Sequence, residues 1–529
     1  MRAVIYGLVV VLCGVFGWWL TQDLPRRAVQ PKAEIEEVPV FQKVGRDRIS
    51  APLVEERRTF EDGATVEIMG SSREREAILR FPSDAAYASF VQVVRESEVR
   101  LLGQLDRLRA MRVGYDDPGD LSVLLAGENL SVYPAVTRMP DRVKPGEDAL
   151  RGAVGFDDGV LRWLGVRSDP SWGRGVKVAV LDTGVVAHES LPEFKSIEIE
   201  PFPEDPAQVH GHGTAVASLI CGRSELAPGI APGVSLISIR VSGENGVTDS
   251  FSVAEGMLAA MDEGAEIVNL SLGSYEDSPL LADAIWMAQE RGIVVVAASG
   301  NDGQERAAFP AAYPNVIGVG AVDARGEQLE FSNFGDYLSL TAPGYQVNVA
   351  WPGNRYVRLS GTSVSAPLVT GAIAAVMTAE PTRLSAPEAA ALVLEYADEA
   401  GIPWPDSQYG NGILNLARVL ERKIPGIVDV AITGQQIVTT ETGQDELQVT
   451  IQNRGTEILI NTLLEIQTSL GNRTFNLTTL APKKIHTFRF PLPSAAHGMQ
   501  VDVTSTVTLG TWGVDRSPEN NRRDDSFQK

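Results

Sequence analysis

A chain of 529 residues, 44% of them apolar, is too long for one hydrophobic core and has an ordinary globular composition, so about three domains are expected. Its formal net charge of -22 disfavours nucleic acid or an anionic membrane surface as an electrostatic partner. Only two cysteines occur, Cys13 and Cys221, and the first lies in an apolar N-terminal stretch, which argues against an intramolecular disulfide.

Residues 3–20 form an apolar run about long enough to cross a bilayer, ending in Trp18-Trp19 and preceded by Arg2. Residues 1–27 are therefore read as a membrane anchor or signal segment. Two alternatives stand: an uncleaved signal anchor, or a removed signal peptide with Val15-Phe-Gly17 as its cleavage candidate. Residues 28–70 are charged, proline-punctuated and without sustained period, which suits an extended stalk. Between 71 and 140 the pattern predicts strand, helix, strand, strand, helix, strand. Strands fall at residues 77–81, 99–102, 110–115 and 132–137; Ser83 or Asp84 caps a helix with Tyr87, Phe90, Val91 and Val94 on one face, and Pro118 begins a second. That order is the split, ferredoxin-like α+β arrangement.

Residues 150–422 carry the reactive groups. An apolar strand at 178–181 leads into Asp182, and Gly184 permits the turn beyond. Such a carboxylate sits at the carboxyl end of a strand, where open α/β sheets place their sites. Gly211-His212-Gly-Thr214 opens an apolar stretch of helical length. Gly361-Thr-Ser363-Val-Ser-Ala366-Pro367 opens another, with Ser363 at its positive end. A serine hydroxyl is a weak nucleophile at neutral pH; it needs an imidazole to take its proton and a carboxylate to orient that imidazole. Beyond residue 420 helical signals stop. Short alternating runs at 428–433, 446–452, 462–469, 473–480, 486–491 and 500–508 predict a β-sandwich over 427–529.

The segments around Asp182, His212 and Ser363, in that chain order, resemble the signatures of the subtilisin-like serine proteases. A fourth element, Ala297-Ala-Ser-Gly300-Asn301-Asp-Gly303, resembles the family's oxyanion segment, and the similarity runs from roughly residue 157 to 420. One departure is Ala215, where the family commonly has a second histidine; His210 lies near His212 but lacks the Gly-Thr that follows it. The resemblance implies an α/β fold with a mostly parallel sheet flanked by helices, preceded by an inhibitory propeptide and followed by the sandwich. It implies a serine endopeptidase acting through an acyl-enzyme, with Asp182, His212, Ser363 and Asn301 as catalytic residues. Ser271, Leu272 and Gly273 would form a substrate-binding strand, and Ala298, Ser299, Gly300 and Ala308 would line the first specificity pocket. Small walls admit an apolar side chain, whereas Asp302 and Glu305 nearby would favour a basic one; both alternatives stand.

Partners implied are protein or peptide substrates, the chain's own propeptide, cut away within 139–151, and a membrane through the N-terminal segment; nucleic acid is not among them. No cofactor is required for the chemistry. The family often uses structural calcium, but no carboxylate spacing here marks a site. The resemblance places the body outside the cytoplasm, membrane-anchored or secreted if the N-terminal segment is cleaved, although Arg26, Arg27 and Lys32 against Arg2 favour the opposite orientation. The competing function is a catalytically silent, membrane-anchored peptide-binding or adhesion protein.

Overall fold

The computed structural model describes residues 54–59, 65–69, 75–125, 131–133, 137–138 and 152–528, apart from 206–207, 244–245, 404, 441, 494–499 and 511–512. The apolar run at 3–20 and the connector at 139–151 lie outside the described residues. Among the described residues no helix is long and apolar enough to cross a membrane.

The stretch expected to be a stalk contains an antiparallel pair, Val54–Thr59 with Thr65–Met69. Charges at 55–58 obscure the first strand, but Asp62-Gly63 between the two is a hairpin signal, and Val54, Thr59, Thr65, Val66 and Ile68 are strand formers. The N-terminal domain follows the order β-α-β-β-α-β. Its four-stranded sheet runs Arg100–Leu105, Ala110–Gly114, Glu76–Arg80, Ser131–Tyr133, every neighbouring pair antiparallel. Ser83 caps the helix Asp84–Arg95 by accepting from the Ala86 N–H, and Tyr87, Phe90 and Val94 bury its inner face. The last strand differs from the expectation of one run at 132–137. Ser131–Tyr133 joins this sheet, while Thr137–Arg138 pairs antiparallel with Val247–Thr248 of the central domain. Pro134, which has no N–H for a ladder, stands between the two.

The central domain is built on seven strands: β1 (Lys177–Asp182), β2 (Lys195–Glu198), β3 (Ser235–Arg240), β4 (Ile267–Leu270), β5 (Val294–Ala298), β6 (Ile317–Val322) and β7 (Leu338–Pro343). Their order is β7-β6-β5-β4-β1-β3-β2, all parallel. A parallel sheet needs both faces covered, so its strands read as continuous apolar runs. The helices that cover it are α1 (His212–Cys221), α2 (Ser250–Asp262), α3 (Pro279–Gln289) and α4 (Thr362–Thr378). Val178 and Val180 of β1 pack into one core with α1 and α4, while Ala179 and Leu181 pack into the other with α2 and α3. Helix α4 is buried on nearly every side, and its small residues, Ala366, Gly371, Ala372, Ala374 and Ala375 among them, let it pass through the domain.

Two sheets form the C-terminal domain. Val430–Thr439, Asp445–Asn453 and Ile485–Pro491 make one; Gly471–Leu480, Leu459–Thr468, Gln500–Thr508 and Arg522–Gln528 make the other. Val449 and Ile451 from the first share a core with Leu464, Ile466 and Val503 from the second. The strand Arg522–Gln528 was not expected from sequence: it is an edge strand with alternating exposure, and its Arg-Arg-Asp-Asp run carries no apolar signal.

The N-terminal sheet rests on α2 and α3. Ile78, Leu105, Leu108 and Ala110 join the core of those helices, and Gly103 lets the Phe251 ring approach, since a Cβ there would lie 2.8 Å from it. Around this apolar centre, arginines of the N-terminal domain meet carboxylates of the central one. Arg107 pairs with Asp262 at 2.7 Å, Arg80 pairs with Asp283, and Arg112 lies 3.4 Å from Asp249 and 3.9 Å from Glu200 while bonding Glu76 at 2.7 Å. Arg112 is largely buried, so Arg112→Glu would set like charges together inside the interface. Loss of a buried pair costs about 3 kcal/mol, which corresponds to roughly a hundredfold. Amide exchange across residues 75–125 should rise by that factor in Arg112→Glu, measured by hydrogen–deuterium exchange with mass spectrometry.

Candidate active site

The three segments singled out from sequence converge at the carboxyl edge of the sheet. Asp182 is the last residue of β1 and is fully buried. Its carboxylate accepts from the Thr183 N–H at 2.7 Å and lies 3.1 Å from Thr183 Oγ1. His212, the first residue of α1, places Nδ1 2.9 Å from each carboxylate oxygen. A carboxylate can only accept here, so Nδ1 carries the proton and Nε2 is left as the basic nitrogen.

Two glycines make this approach possible. A Cβ on Gly213 would lie 2.4 Å from the Gly184 carbonyl oxygen, so the start of α1 touches the turn after Asp182 backbone to backbone. Gly184 has φ 85°, a left-handed conformation that favours glycine. The contact is latched by Thr183 Oγ1, which accepts from the Gly213 N–H at 2.9 Å, and by Thr214 Oγ1, which accepts from the Val186 N–H at 2.9 Å.

Ser363 is the second residue of α4, so its backbone N–H is one of those without an intrahelical acceptor. Asn301 follows β5 in the loop 299–304. Its Oδ1 accepts from both the backbone N–H and Oγ1 of Thr362, each at 2.9 Å; a backbone N–H can only donate, which fixes the amide with Nδ2 on the other side. A Cβ built on Gly361 would lie 3.1 Å from Ser363 Oγ and 3.4 Å from Asn301 Nδ2. The hydroxyl and the amide therefore flank one small space that glycine keeps open.

β4 ends at Leu270, residues 271–273 join no ladder, and the side chains of Ser271 and Leu272 are buried inward. Pro367 lacks the N–H that would bond the Ser363 carbonyl four residues earlier, and the Ser271 hydroxyl donates to that carbonyl instead, at 3.0 Å. Asn269 Nδ2 donates to Ser271 Oγ at 3.0 Å, and Thr370 Oγ1 donates to Asn269 Oδ1 at 3.0 Å. This chain ties α4 to β4; neither Asn269 nor Thr370 is marked by a local motif.

Ala298, Ser299, Gly300 and Ala308 are all buried beside Asn301. At the rim of this group the Asp302 carboxylate accepts from the Tyr275 hydroxyl, and the Arg306 guanidinium lies 4.0 Å from the centre of the Tyr275 ring. Tyr275 and Arg306 escaped sequence reading because nothing local connects them to Asp302. Among the described residues no group of three or more His, Cys, Asp or Glu side chains is gathered where it could hold a metal ion.

Comparison with known proteins agrees with this geometry. The model of the subtilase family matches residues 173–412. The alkaline protease of Alkalihalobacillus alcalophilus is 32% identical over 317 residues, 58% of this chain and 80% of that protein. Subtilisin Savinase of Lederbergia lenta is 39% identical over 212 residues, 40% of this chain and 79% of that protein. The epidermin leader peptide processing serine protease of Staphylococcus aureus superposes with a TM-score of 0.53 at 22% identity, covering 66% of this chain and 98% of that one, a likeness of fold. The chain belongs to the subtilase family and is a subtilisin-like serine endopeptidase.

Burial, and then the hydrogen bond to Asp302, push the Tyr275 hydroxyl up to about 12 from its ordinary 10. A group raised on folding contributes fully below pH 10 and loses its contribution as pH rises through about 12. Tyr275→Phe should therefore flatten the fall in Tm between pH 10 and 12, which calorimetry of both proteins at pH 9 and 11.5 would read.

Proposed function

We propose that Ser363 Oγ attacks the scissile carbonyl, that His212 Nε2 takes its proton and returns it to the leaving amine, and that Asp182 holds the imidazole in the required tautomer. Asn301 Nδ2 and the Ser363 N–H take the developing oxyanion, and water then releases the acyl group from Ser363. The observation that carries this reading is the fixed order of contacts. A buried carboxylate holds Nδ1 of His212, and Ser363 Oγ and Asn301 Nδ2 share the space above Gly361. No cofactor enters the scheme. This reading is favoured over a silent scaffold by the carboxylate held against His212 Nδ1 and by the glycine-lined space that Ser363 and Asn301 share.

A bound peptide would run as an added strand along residues 271–273, whose backbone has no ladder partner, so recognition there is by main chain rather than by the Ser271 and Leu272 side chains. The first pocket takes an apolar side chain. Its walls are small, and of the two nearby carboxylates, Asp302 and Glu305, Asp302 is engaged by Tyr275 with Arg306 alongside. The N-terminal domain, 71–140, serves as an intramolecular inhibitor removed by cleavage within 139–151. Its support is the strand Thr137–Arg138 on Val247–Thr248: this loop leaves β3 beside Asp182, so the departing chain lies on the edge that carries the site. Residues 28–70 link this domain to the N-terminal segment, and residues 427–529 form a separate supporting domain. The enzyme works outside the cytoplasm, held or exported by the apolar run at 3–20.

The wild type should label with a fluorophosphonate and lose its N-terminal domain, whereas Ser363→Ala should do neither; an intact precursor with a labelled serine would overturn the processing scheme. Asn301→Ala should lower kcat by roughly 100- to 1000-fold with little change in KM. In a peptide panel varied next to the cut bond, Phe or Leu should exceed Lys by at least about tenfold in kcat/KM, as expected for a few kcal/mol of pocket burial.

A further inference from the structure

Loop 299–304 carries both the pocket wall and Asn301, yet it belongs to neither helix nor sheet. Thr362 Oγ1 and the Phe331 carbonyl accept from the Gly300 and Gly303 N–H groups, and the Tyr337 hydroxyl donates to the Ser299 carbonyl, but the side chain that bridges the turn on both sides of Asn301 is the buried Asn333. Its Oδ1 accepts from the N–H of Asp302 at 3.0 Å and of Gln304 at 3.1 Å, one on each side of the turn. Those two obligate donors fix the orientation of the amide, so Nδ2 points the other way, and it donates to Tyr275 Oη at 2.8 Å. The main chain adds two more bonds: the Asn333 N–H donates to the Gly300 carbonyl at 3.1 Å, and the Asn333 carbonyl lies 3.3 Å from Ser299 Oγ.

Five contacts therefore converge on one residue with no exposed surface. The fit is tight: Gly300 has φ 103°, and a Cβ there would lie 2.4 Å from Asn333 Nδ2. The loop is thus wrapped round the Asn333 amide, with Asn301 at the turn between Gly300 and Asp302. Thr362 fixes the Oδ1 end of Asn301 and, through Oγ1, the Gly300 N–H before it. The backbone that follows Asn301, at Asp302 and Gln304, is bonded to the Asn333 side chain.

We propose that Asn333 is a positioning residue for the oxyanion donor: it touches no substrate, but it sets where Asn301 Nδ2 stands relative to Ser363. This rests on the reading of Asn301 as that donor. Oxyanion stabilisation depends on preorganised geometry, and a displacement of about 1 Å can cost on the order of a hundredfold in rate. A polar side chain in this place is otherwise unneeded by the sheet or the pocket.

The test is a double-mutant cycle on the processed enzyme, following kcat and KM on a peptide amide substrate together with Tm. Asn333→Ala should lower kcat by roughly 10- to 100-fold. In the Asn301→Ala background the same change should cost less than about threefold, because its effect acts through a donor already gone. Tyr275→Phe, which removes the hydroxyl that accepts from Nδ2 and donates to Asp302 but leaves the bonds from Asn333 to the loop, should lower kcat by a smaller factor, about three- to tenfold, with the same disappearance in Asn301→Ala. This cycle decides the matter should Asn333→Ala fail to fold. Equal losses in both backgrounds would overturn the proposal and leave Asn333 a structural residue. A normal kcat in Asn301→Ala alone would instead overturn the donor assignment on which the proposal stands.

Discussion

Burial of the Asp182 carboxylate is the constraint on which the surrounding structure depends. An ionised carboxylate removed from water costs several kcal/mol unless hydrogen bonds replace its hydration. Here the replacements are the Thr183 N–H and His212 Nδ1, with the Thr183 hydroxyl in reach. Because Thr183 also receives the Gly213 N–H, satisfying the charge fixes where α1 begins. A Cβ on Gly213 would strike the Gly184 backbone, and one on Gly184 would lie 2.5 Å from the Phe202 ring, so neither position accepts a side chain. The turn is pinned from beneath by Arg240, fully buried, which donates to the Thr183 and Pro201 carbonyls while Phe202 lies 4.6 Å from its guanidinium carbon. The imidazole's orientation is thus a consequence of solvating one buried charge with protein.

The nucleophile side obeys a different rule. Pro367 in the second turn of α4 would ordinarily weaken a helix, because it strips a carbonyl of its partner. In this chain the carbonyl stripped is that of Ser363, and Ser271 supplies the missing donor. Helix α4 is thereby bonded to the end of β4 at Ser363. The helix is anchored where its own ladder is interrupted.

Local signals account for what the sequence revealed, and their absence for what it did not. Asp182, His212, Ser363 and Asn301 each sit where an apolar run meets glycine, so strand end, turn and helix start can be read within a few residues. Ala298 and Gly300 lie in the same segment as Asn301. Asn333, Thr362 and Asn269 act across 31, 61 and 101 positions respectively, and no short pattern reports a partner so distant. The strands Val54–Thr59 and Arg522–Gln528 were missed since their charged residues mask the alternation on which strand reading relies.

The contact between the N-terminal and central domains combines two forces of different character. Ile78, Leu105 and Leu108 against Phe251 contribute non-directional burial, which by itself would tolerate sliding and rotation. Three arginines on one side and the carboxylates of Asp249, Asp262 and Asp283 on the other remove that freedom, since each pair is satisfied at only one docking angle. Orientation matters here because the chain leaving the domain must reach Val247–Thr248 in register. The signs also suit a chain of net charge -22, in which an arginine face is the scarcer resource and is spent at the boundary. Arg107 and Arg80 lie at the rim, where salt screens them, whereas Arg112 is enclosed and is screened far less. The rim pairs thus favour encounter at the correct angle, and the enclosed pair, once formed, resists separation of the two domains.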